Sequence, residues 1–281
     1  EDGRVVDLYK SITTIFECKP EYFFQYCVKM ADKDRLNDRE YYHGLKSYVD
    51  SVVYPDFPYS HVYAIKEVVE KIPSDSVLHL SINDSIRITN FFKLNPRIKT
   101  YANIGTHGID GCLSSFLGQA VAGDKQSYLV IGDLAFFYDM NAMRLRHIKN
   151  NVHILLINNE GGSEFYFNHM WKDEASDLHT TARHHTKAEG WVKSNNFIYL
   201  SAHDKESMQE ALKEFMRCDL EKPVFLEVFT EMKTDSDVIY DFFDLSRPKD
   251  VQSETIRRSK EFIKATIGQE KAQKIAGLFK K

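Results

Sequence analysis

Short apolar segments alternate with helical segments between residues 60 and 229, and this alternation is the strongest constraint on the fold. The strand-like segments are Ser76–Ile82, Ser127–Asp133, Val152–Asn159, Phe197–Ala202 and Pro223–Phe229. Strands that are apolar throughout are typically buried on both faces, and the helices between them connect parallel neighbours. The pattern therefore predicts an α/β fold, a doubly wound parallel sheet with helices on both faces.

Composition shifts divide the chain into three parts. Two prolines within Tyr54–Ser60 mark the clearest boundary. Before it we predict a strand at Ser11–Glu17 followed by two helices. From Met232 onward the chain is charged and helical, which is typical of a peripheral helix or a frayed end. The predicted parts are residues 1–57, residues 58–232 and residues 233–281.

Charge and cysteine usage limit the partners and the compartment. The net charge of −4 gives no electrostatic reason to bind nucleic acid or an anionic membrane. No apolar run approaches the ~20 residues of a membrane helix. The cysteines are widely spaced and predict reduced core residues in a cytoplasmic protein; they are Cys18, Cys27, Cys112 and Cys218. The first residue is Glu, so we expect a piece of a longer chain or a processed product.

Polar residues follow two of the predicted strands at the point where each strand ends. Gly132-Asp133 closes one strand, and Asn158-Asn159 closes the next and is followed by Gly161 and Gly162. Ligands of open α/β sheets bind beyond the carboxyl ends of the strands. The Asp133 carboxylate, the Asn159 amide oxygen and the Gly161 carbonyl would suit Mg²⁺ together with phosphate oxygens. The alternative is that Asp133 caps a helix and the asparagines are turn residues.

Three longer stretches resemble a known enzyme family. They are "ANIGTHGIDG" (Ala102–Gly111), "GDLAFFYDMNAM" (Gly132–Met143) and "INNEGGSEF" (Ile157–Phe165). They resemble thiamine-diphosphate-dependent enzymes, and within them the menaquinone-pathway synthase of 2-succinyl-5-enolpyruvyl-6-hydroxy-3-cyclohexene-1-carboxylate (SEPHCHC). The resemblance implies that residues 58–232 form the thiamine-diphosphate- and Mg²⁺-binding domain, and that residues 1–57 are the end of a central domain plus a linker.

The resemblance also assigns individual residues. Asp133, Asn159 and Gly161 would hold Mg²⁺, and the cofactor-binding set would be Asn83, Ser85, Gly105, Thr106, Gly108, Ile109, Gly132, Asp133, Leu134, Ala135, Asn159, Gly161 and Gly162. Within this set, Ile109 matches the bulky apolar residue that keeps the cofactor bent. The substrate residues would be Arg87, Ile104, Glu164 and Phe165. His107 is a candidate for proton transfer, with packing as its alternative.

The implied reaction is the decarboxylation of a 2-oxo acid followed by carbon–carbon bond formation with an acceptor. The pyrimidine-binding domain that carries the family's catalytic glutamate is absent from this sequence. The resemblance thus implies a partner domain on the same or a second chain, a homodimer or tetramer, and no turnover by this chain alone. Ile104 and Glu164 stand where the synthase has Arg and Ile.

These departures keep three alternatives open: another 2-oxo acid as substrate, an acetolactate-synthase-like enzyme, and a non-catalytic cofactor-binding subunit. A dinucleotide-binding Rossmann domain is disfavoured because no G-x-G-x-x-G follows a strand. A zinc site is a further alternative, although the spacing of its candidate ligands fits no known pattern; they are His169, His179, His184 and His185.

Overall fold

The structure, a computed structural model, describes residues 5–7, 10–31, 39–105, 107–167 and 178–246. The chain divides into two compact units, Glu1–Val53 and Tyr54–Lys281. Each unit is described by itself.

Among its described residues, the first unit contains two helices, α1 (Pro20–Met30) and α2 (Glu40–Asp50). Pro20 occupies the first turn of α1, where its missing N–H costs no hydrogen bond. No residue that the structure describes in these helices is buried. The predicted strand was wrong, since the described residues Ser11–Glu17 do not pair as a strand. β-Branched residues favour extended backbone, but a strand also requires a neighbour with which to pair.

The second unit is built on a six-stranded sheet in the order β2-β1-β3-β4-β6-β5, and every pair is parallel. The strands are β1 (Val77–Leu80), β2 (Lys99–Ala102), β3 (Ser127–Gly132), β4 (Val152–Asn158), β5 (Ile198–Ala202) and β6 (Val224–Phe229). The chain runs from β1 outward to β2 and then returns to β3 on the other side of β1. The strand order therefore reverses between β1 and β3, and the predicted α/β fold is confirmed.

Helices connect the strands. They are α3 (His61–Val69), α4 (Asp84–Thr89), α5 (Cys112–Ala122), α6 (Asp133–Asp139), α7 (Ser163–Phe167), α8 (Glu189–Ser194), α9 (Lys205–Phe215) and α10 (Met232–Ser246). The Ser60 hydroxyl caps α3 by accepting the Tyr63 N–H. In the residues that the structure describes, no helix has the length and hydropathy to cross a membrane.

α6 is shorter than its sequence pattern suggests. Helical spacing predicts a helix over Phe136–Lys149, but α6 ends at Asp139 and a 3₁₀ turn follows at Met140–Arg144. The Asp139 carboxylate accepts the N–H and the hydroxyl of Ser114, while the Met140 carbonyl accepts the Trp191 indole N–H. These tertiary contacts use backbone and side-chain groups at the point where α6 ends.

The inner strands of the sheet are buried on both faces, as expected for a parallel sheet, whereas the edge strand β2 is exposed at every position. β1 and β4 are buried at every position, and Phe116, Phe136 and Phe225 pack in the core with no exposed surface. The prediction for the cysteines was wrong in part. All four lie in the described residues and are free, but Cys112 is buried whereas the other three are exposed.

α10 is integrated into the second unit. Its buried residues are Met232, Asp235, Ser236, Val238, Ile239 and Phe242, and the helix contacts α3 and α7. The start of the segment predicted to be peripheral thus belongs to the core. The remainder of that segment, from residue 247 onward, lies outside the described residues.

Candidate metal–diphosphate site

One pocket lies at the carboxyl ends of β1, β3 and β4, where the strand order reverses. Open α/β sheets bind their ligands at such a reversal. The lining residues come from the segments after these strands and from α3; they are His61, Ile65, Ser81, Ile82, Asn83, Asp84, Ser85, Ile109, Gly132, Asp133, Leu134, Ala135, Ile157, Asn159, Gly161, Gly162, Ser163, Glu164 and Phe165. Most of the residues selected from the sequence therefore meet in one place.

Asp133 lies at the centre of this pocket and is 2% exposed. Its Oδ1 accepts the Leu134 N–H at 2.6 Å, and its Oδ2 accepts the Gly161 N–H at 3.0 Å. The Nε2 atom of His184 lies 3.3 Å from Oδ2. Since the His184 Nδ1 accepts the Thr186 N–H, the ring proton sits on Nε2 and faces Asp133. A carboxylate offers about four lone-pair positions, so these contacts leave room for a cation.

The glycines after β4 are required by close packing. Gly161 has φ 153°, and a Cβ there would lie 2.7 Å from the Thr181 carbonyl oxygen and 3.0 Å from the Met232 methyl carbon. The neighbouring Gly162 N–H donates to the same Thr181 carbonyl at 2.7 Å. The loop is thereby fixed to the segment around Thr181, with its backbone beside Asp133.

The two asparagines at the end of β4 have different surroundings. The Asn158 Nδ2 donates to the Glu227 Oε1 at 2.7 Å and to the Thr186 carbonyl at 2.9 Å. Glu227 is completely buried and also accepts the Tyr199 hydroxyl at 2.7 Å. Asn158 is therefore part of a structural network, while Asn159 lines the pocket.

Asn159 is oriented by Asp235 of α10. The Asn159 Nδ2 donates to the Asp235 Oδ2 at 2.9 Å. An ionised carboxylate only accepts hydrogen bonds, so the amide nitrogen must be the atom facing Asp235. No hydrogen bond from the described part of the chain reaches the Asn159 amide oxygen. That oxygen is the atom a hard cation would use.

Gly132 is not explained by the packing of this chain. Its φ of −83° and ψ of 161° suit any residue, and within the described structure a Cβ there would meet no atom within 4 Å. Because Gly132 lines the pocket, this open space is available to a bound group. With a buried carboxylate and an unengaged amide oxygen, the residues fit a metal–diphosphate group.

A buried imidazole forms part of the pocket wall. His61 is 1% exposed, and its Nδ1 lies 3.1 Å from the Asp235 Oδ1 while its Nε2 lies 3.8 Å from the Asp84 Oδ2. Burial by itself lowers the pKa of His61, but the two carboxylates outweigh it and the net shift is upward. For Asp235, burial by itself raises the pKa. The charge of His61 and the hydrogen bonds from Thr230 and Asn159 outweigh this effect, so the net pKa shift is downward.

Two predicted substrate residues, Arg87 and Glu164, form an ion pair, and Glu164 lines the pocket. The Arg87 guanidinium lies 2.6 Å from the Glu164 Oε1, and the Arg87 side chain is 49% exposed. Phe165, 40% exposed, lines the pocket beside Glu164. Glu164 thus neutralises Arg87, the residue that we predicted to bind a substrate carboxylate.

The segment after β2 lies apart from the other predicted site residues. Ile104, Gly105 and His107 are exposed, Gly108 is half-buried, and none of these four lines the pocket. Ile109 does line it. Thr106 lies outside the described residues.

The zinc alternative gains no support from the described part of the chain. No group of three or more His, Cys, Asp or Glu side chains there could hold a metal ion. This finding does not bear on the candidate Mg²⁺ site, because Asp133 is the one ligand there that is a His, Cys, Asp or Glu side chain. His184 contacts this carboxylate, and His169 lies outside the described residues.

Sequence reasoning missed the groups that support the site from beneath. His61 and Asp235 carry no motif of their own and are 174 residues apart in sequence. His184 was selected only as a candidate zinc ligand. Asp84 had a usable signal, since it lies between Asn83 and Ser85, which were both assigned to the cofactor.

Two neighbouring strands of this parallel sheet end in a carboxylate, an amide and a glycine loop. These features define an α/β domain of the thiamine-diphosphate-enzyme type.

Comparison with known proteins gives the family. The chain is 35% identical over 250 residues to a SEPHCHC synthase of Bacteroides thetaiotaomicron, covering 88% of this chain and 44% of the relative. For synthases of Phocaeicola vulgatus and Flavobacterium psychrophilum, the identities are 34% over 246 residues and 31% over 247 residues. Both alignments cover 86% of this chain, with 43% and 44% of the respective relatives.

The chain belongs to the thiamine-diphosphate-dependent SEPHCHC synthase family. It spans less than half the length of these curated relatives. No family model matches the chain.

Proposed function

We propose that this chain supplies the metal- and diphosphate-binding half of an enzyme that decarboxylates a 2-oxo acid and joins the product to an acceptor. The observation that carries the proposal is the convergence of Asp133, Asn159 and the Gly161 loop on one pocket, with the amide nitrogen of Asn159 already engaged by Asp235. When bound, thiamine diphosphate supplies the carbon nucleophile and electron sink that such a reaction needs.

The chain's own residues then have defined tasks. Asp133, the Asn159 amide oxygen and the Gly161 carbonyl hold Mg²⁺. Gly132 and Ala135 leave space for the diphosphate after β3. Ser85 and its neighbours cover the same group from the end of β1. Because Asp133 is buried, water is excluded from its side of the cation, and the attraction between the carboxylate and the cation is stronger than it would be in water.

The rest of the active site comes from elsewhere. We propose that a pyrimidine-binding domain, on the same or a second chain, completes the site in a homodimer or tetramer in the cytoplasm. This chain alone then binds cofactor without turnover. Without such a domain, the chain would be a non-catalytic cofactor-binding subunit, so co-purification with a glutamate-bearing partner separates the two cases.

The substrate is proposed to differ from that of the synthases that the chain resembles. A second candidate function is therefore an acetolactate-synthase-like enzyme or another 2-oxo-acid enzyme. The ion pair between Arg87 and Glu164 favours it, because Glu164 neutralises the arginine and repels a dianionic substrate. Steady-state kinetics of the complete enzyme with 2-oxoglutarate, pyruvate and phosphonopyruvate tests it. A strong preference for 2-oxoglutarate would reject the altered substrate.

Thermal unfolding tests the cofactor site. Mg²⁺ with thiamine diphosphate at 100 times Kd stabilises the folded state by about 2.7 kcal/mol, or roughly 5 to 10 °C in a domain of this size. EDTA and Asp133→Ala should each abolish the rise. Asp139→Ala is the matched control, because Asp139 bonds Ser114 and does not line the pocket. An equal rise in Asp133→Ala, or no rise in the wild type, contradicts the proposal.

A further inference from the structure

His61 connects two walls of the pocket through carboxylates on opposite sides of its ring. Asp235 lies 3.1 Å from Nδ1, and Asp84 lies 3.8 Å from Nε2. His61 is the first residue of α3, and its backbone N–H also donates to the Asp235 Oδ1 at 2.8 Å. The backbone N–H at the start of α3 is therefore hydrogen-bonded to Asp235, while the ring lies at ion-pair distance from the same carboxylate without forming a hydrogen bond to it.

Each carboxylate in turn holds a residue that lines the pocket. The Asp235 Oδ2 accepts the Asn159 amide at 2.9 Å and the Thr230 hydroxyl at 2.6 Å. The Asp84 Oδ2 accepts the Ser163 hydroxyl at 2.6 Å. Through Asp235, His61 is thus connected to Asn159 at the end of β4. Through Asp84, it is connected to Ser163, so that the segment after β1 contacts the segment after β4.

The charges in this cluster favour a cation between the carboxylates. Asp235 is completely buried, and the Asp84 side chain is 15% exposed. The groups that face the His61 ring are these two carboxylates, and both favour the imidazolium. A neutral residue at position 61 would leave a buried carboxylate without its countercharge, which is costly unless that carboxylate rotates away.

We propose that His61 is a positioning residue for the metal–diphosphate site, holding Asp235 so that the Asn159 amide presents its oxygen to the cation and holding Asp84 against Ser163. The inference rests on the proposed function. If Asp235 turned away from Asn159, the amide would lose the acceptor that fixes its orientation, and it could rotate to present its N–H₂ to the cation. Loss of His61 should therefore weaken metal binding beyond its effect on stability.

The test measures Mn²⁺ binding to the full chain by electron paramagnetic resonance, with inorganic pyrophosphate as the diphosphate probe. The variant is His61→Gln, which keeps a hydrogen-bond donor but cannot carry charge. The matched control is His153→Gln, because His153 is also completely buried but bonds the Phe215 carbonyl and Gln126 and does not line the pocket. We expect at least tenfold weaker Mn²⁺ binding in His61→Gln and unchanged binding in His153→Gln.

Two results overturn separate claims. If wild type binds Mn²⁺ with pyrophosphate and folded His61→Gln binds it equally well, His61 has only a structural role and the proposed function stands. If the wild type does not bind, the proposed function itself fails, and the positioning role fails with it.

A measurement on the wild type covers the case in which His61→Gln does not fold. In ¹⁵N-histidine spectra, the His61 ring should give the two similar shifts of an imidazolium, and these should move when Mg²⁺ and pyrophosphate are added. A neutral-tautomer spectrum, or shifts that ignore the added ligands while Mn²⁺ binds, would refute the positioning role.

Discussion

The Gly161 N–H donates to the Asp133 Oδ2 at 3.0 Å, so the loop after β4 is held against the end of β3. This bond orients the carboxylate that we assign to the metal and keeps Gly161 at the same pocket. The two strands are hydrogen-bonded neighbours, with Gly132 opposite Ile157. The proposed metal site therefore depends on the alignment of two strands as well as on its ligands.

Gly161→Ala should destabilise the fold. Its Cβ would lie 2.7 Å from the Thr181 carbonyl oxygen, which belongs to the backbone and cannot move aside cheaply. Overpacking of this kind costs about 1–3 kcal/mol. Urea unfolding measures the loss, with the exposed Gly190→Ala of α8 as control, because its Cβ meets no atom within 4 Å in the described structure. Equal midpoints for Gly161→Ala and the wild type would contradict the packing argument.

Gly132→Ala should separate ligand binding from stability. The added methyl group contacts nothing in the described chain, so the unfolding free energy should change by no more than about 0.5 kcal/mol. It would occupy space that we assign to the diphosphate, and thiamine-diphosphate affinity should fall at least tenfold. Equilibrium dialysis in Mg²⁺ measures the affinity. An unchanged affinity would show that the diphosphate does not approach Gly132.

Glu164→Gln should shift substrate preference towards dicarboxylates in the complete enzyme. Removing the charge releases Arg87 from the 2.6 Å ion pair and makes its guanidinium available to a substrate carboxylate. The ratio of kcat/KM for 2-oxoglutarate to that for pyruvate should rise roughly tenfold, equivalent to about 1.4 kcal/mol. Glu189→Gln, which removes the same charge from an exposed pair with Lys193, is the control. An unchanged ratio would exclude Glu164 as a specificity residue.

Acid should destabilise the second unit through His153. Burial lowers the pKa of His153 to about 4, although its bond to the Phe215 carbonyl opposes the shift. Its unfolded pKa is about 6.5, so the stabilisation is complete above pH 6.5 and is lost as the pH falls towards 4. The loss is about 3 kcal/mol over that interval at about 1.4 kcal/mol per pH unit.

Unfolding free energies of wild type and His153→Gln at pH 7, 6 and 5 check this prediction. The difference between the two proteins should shrink as the pH falls, since the variant has no proton to gain. Parallel curves would mean that His153 does not titrate on unfolding.

The sequence predicted five of the six strands, because the apolar signal of these strands is local. It missed β2, which is exposed at every position and has no apolar run. Apolar strands such as Val152–Asn158 are buried at every position, and both strand ends with polar residues lie at the pocket. Ser11–Glu17 has the same local signal but lacks a partner strand, so the prediction failed there. The support of Asn159 was not predictable, because His61 and Asp235 are 174 residues apart in sequence, with every strand of the sheet between them.

Calorimetric titration of thiamine diphosphate into the chain tests the central claim most directly. Thiamine, which lacks the diphosphate, is the comparison ligand, and EDTA replaces Mg²⁺ in the control. We expect binding of thiamine diphosphate only with Mg²⁺, no binding of thiamine, and loss of binding in Asp133→Ala. Absence of binding with Mg²⁺, or equal binding of thiamine, would contradict the claim that this chain holds a metal–diphosphate group.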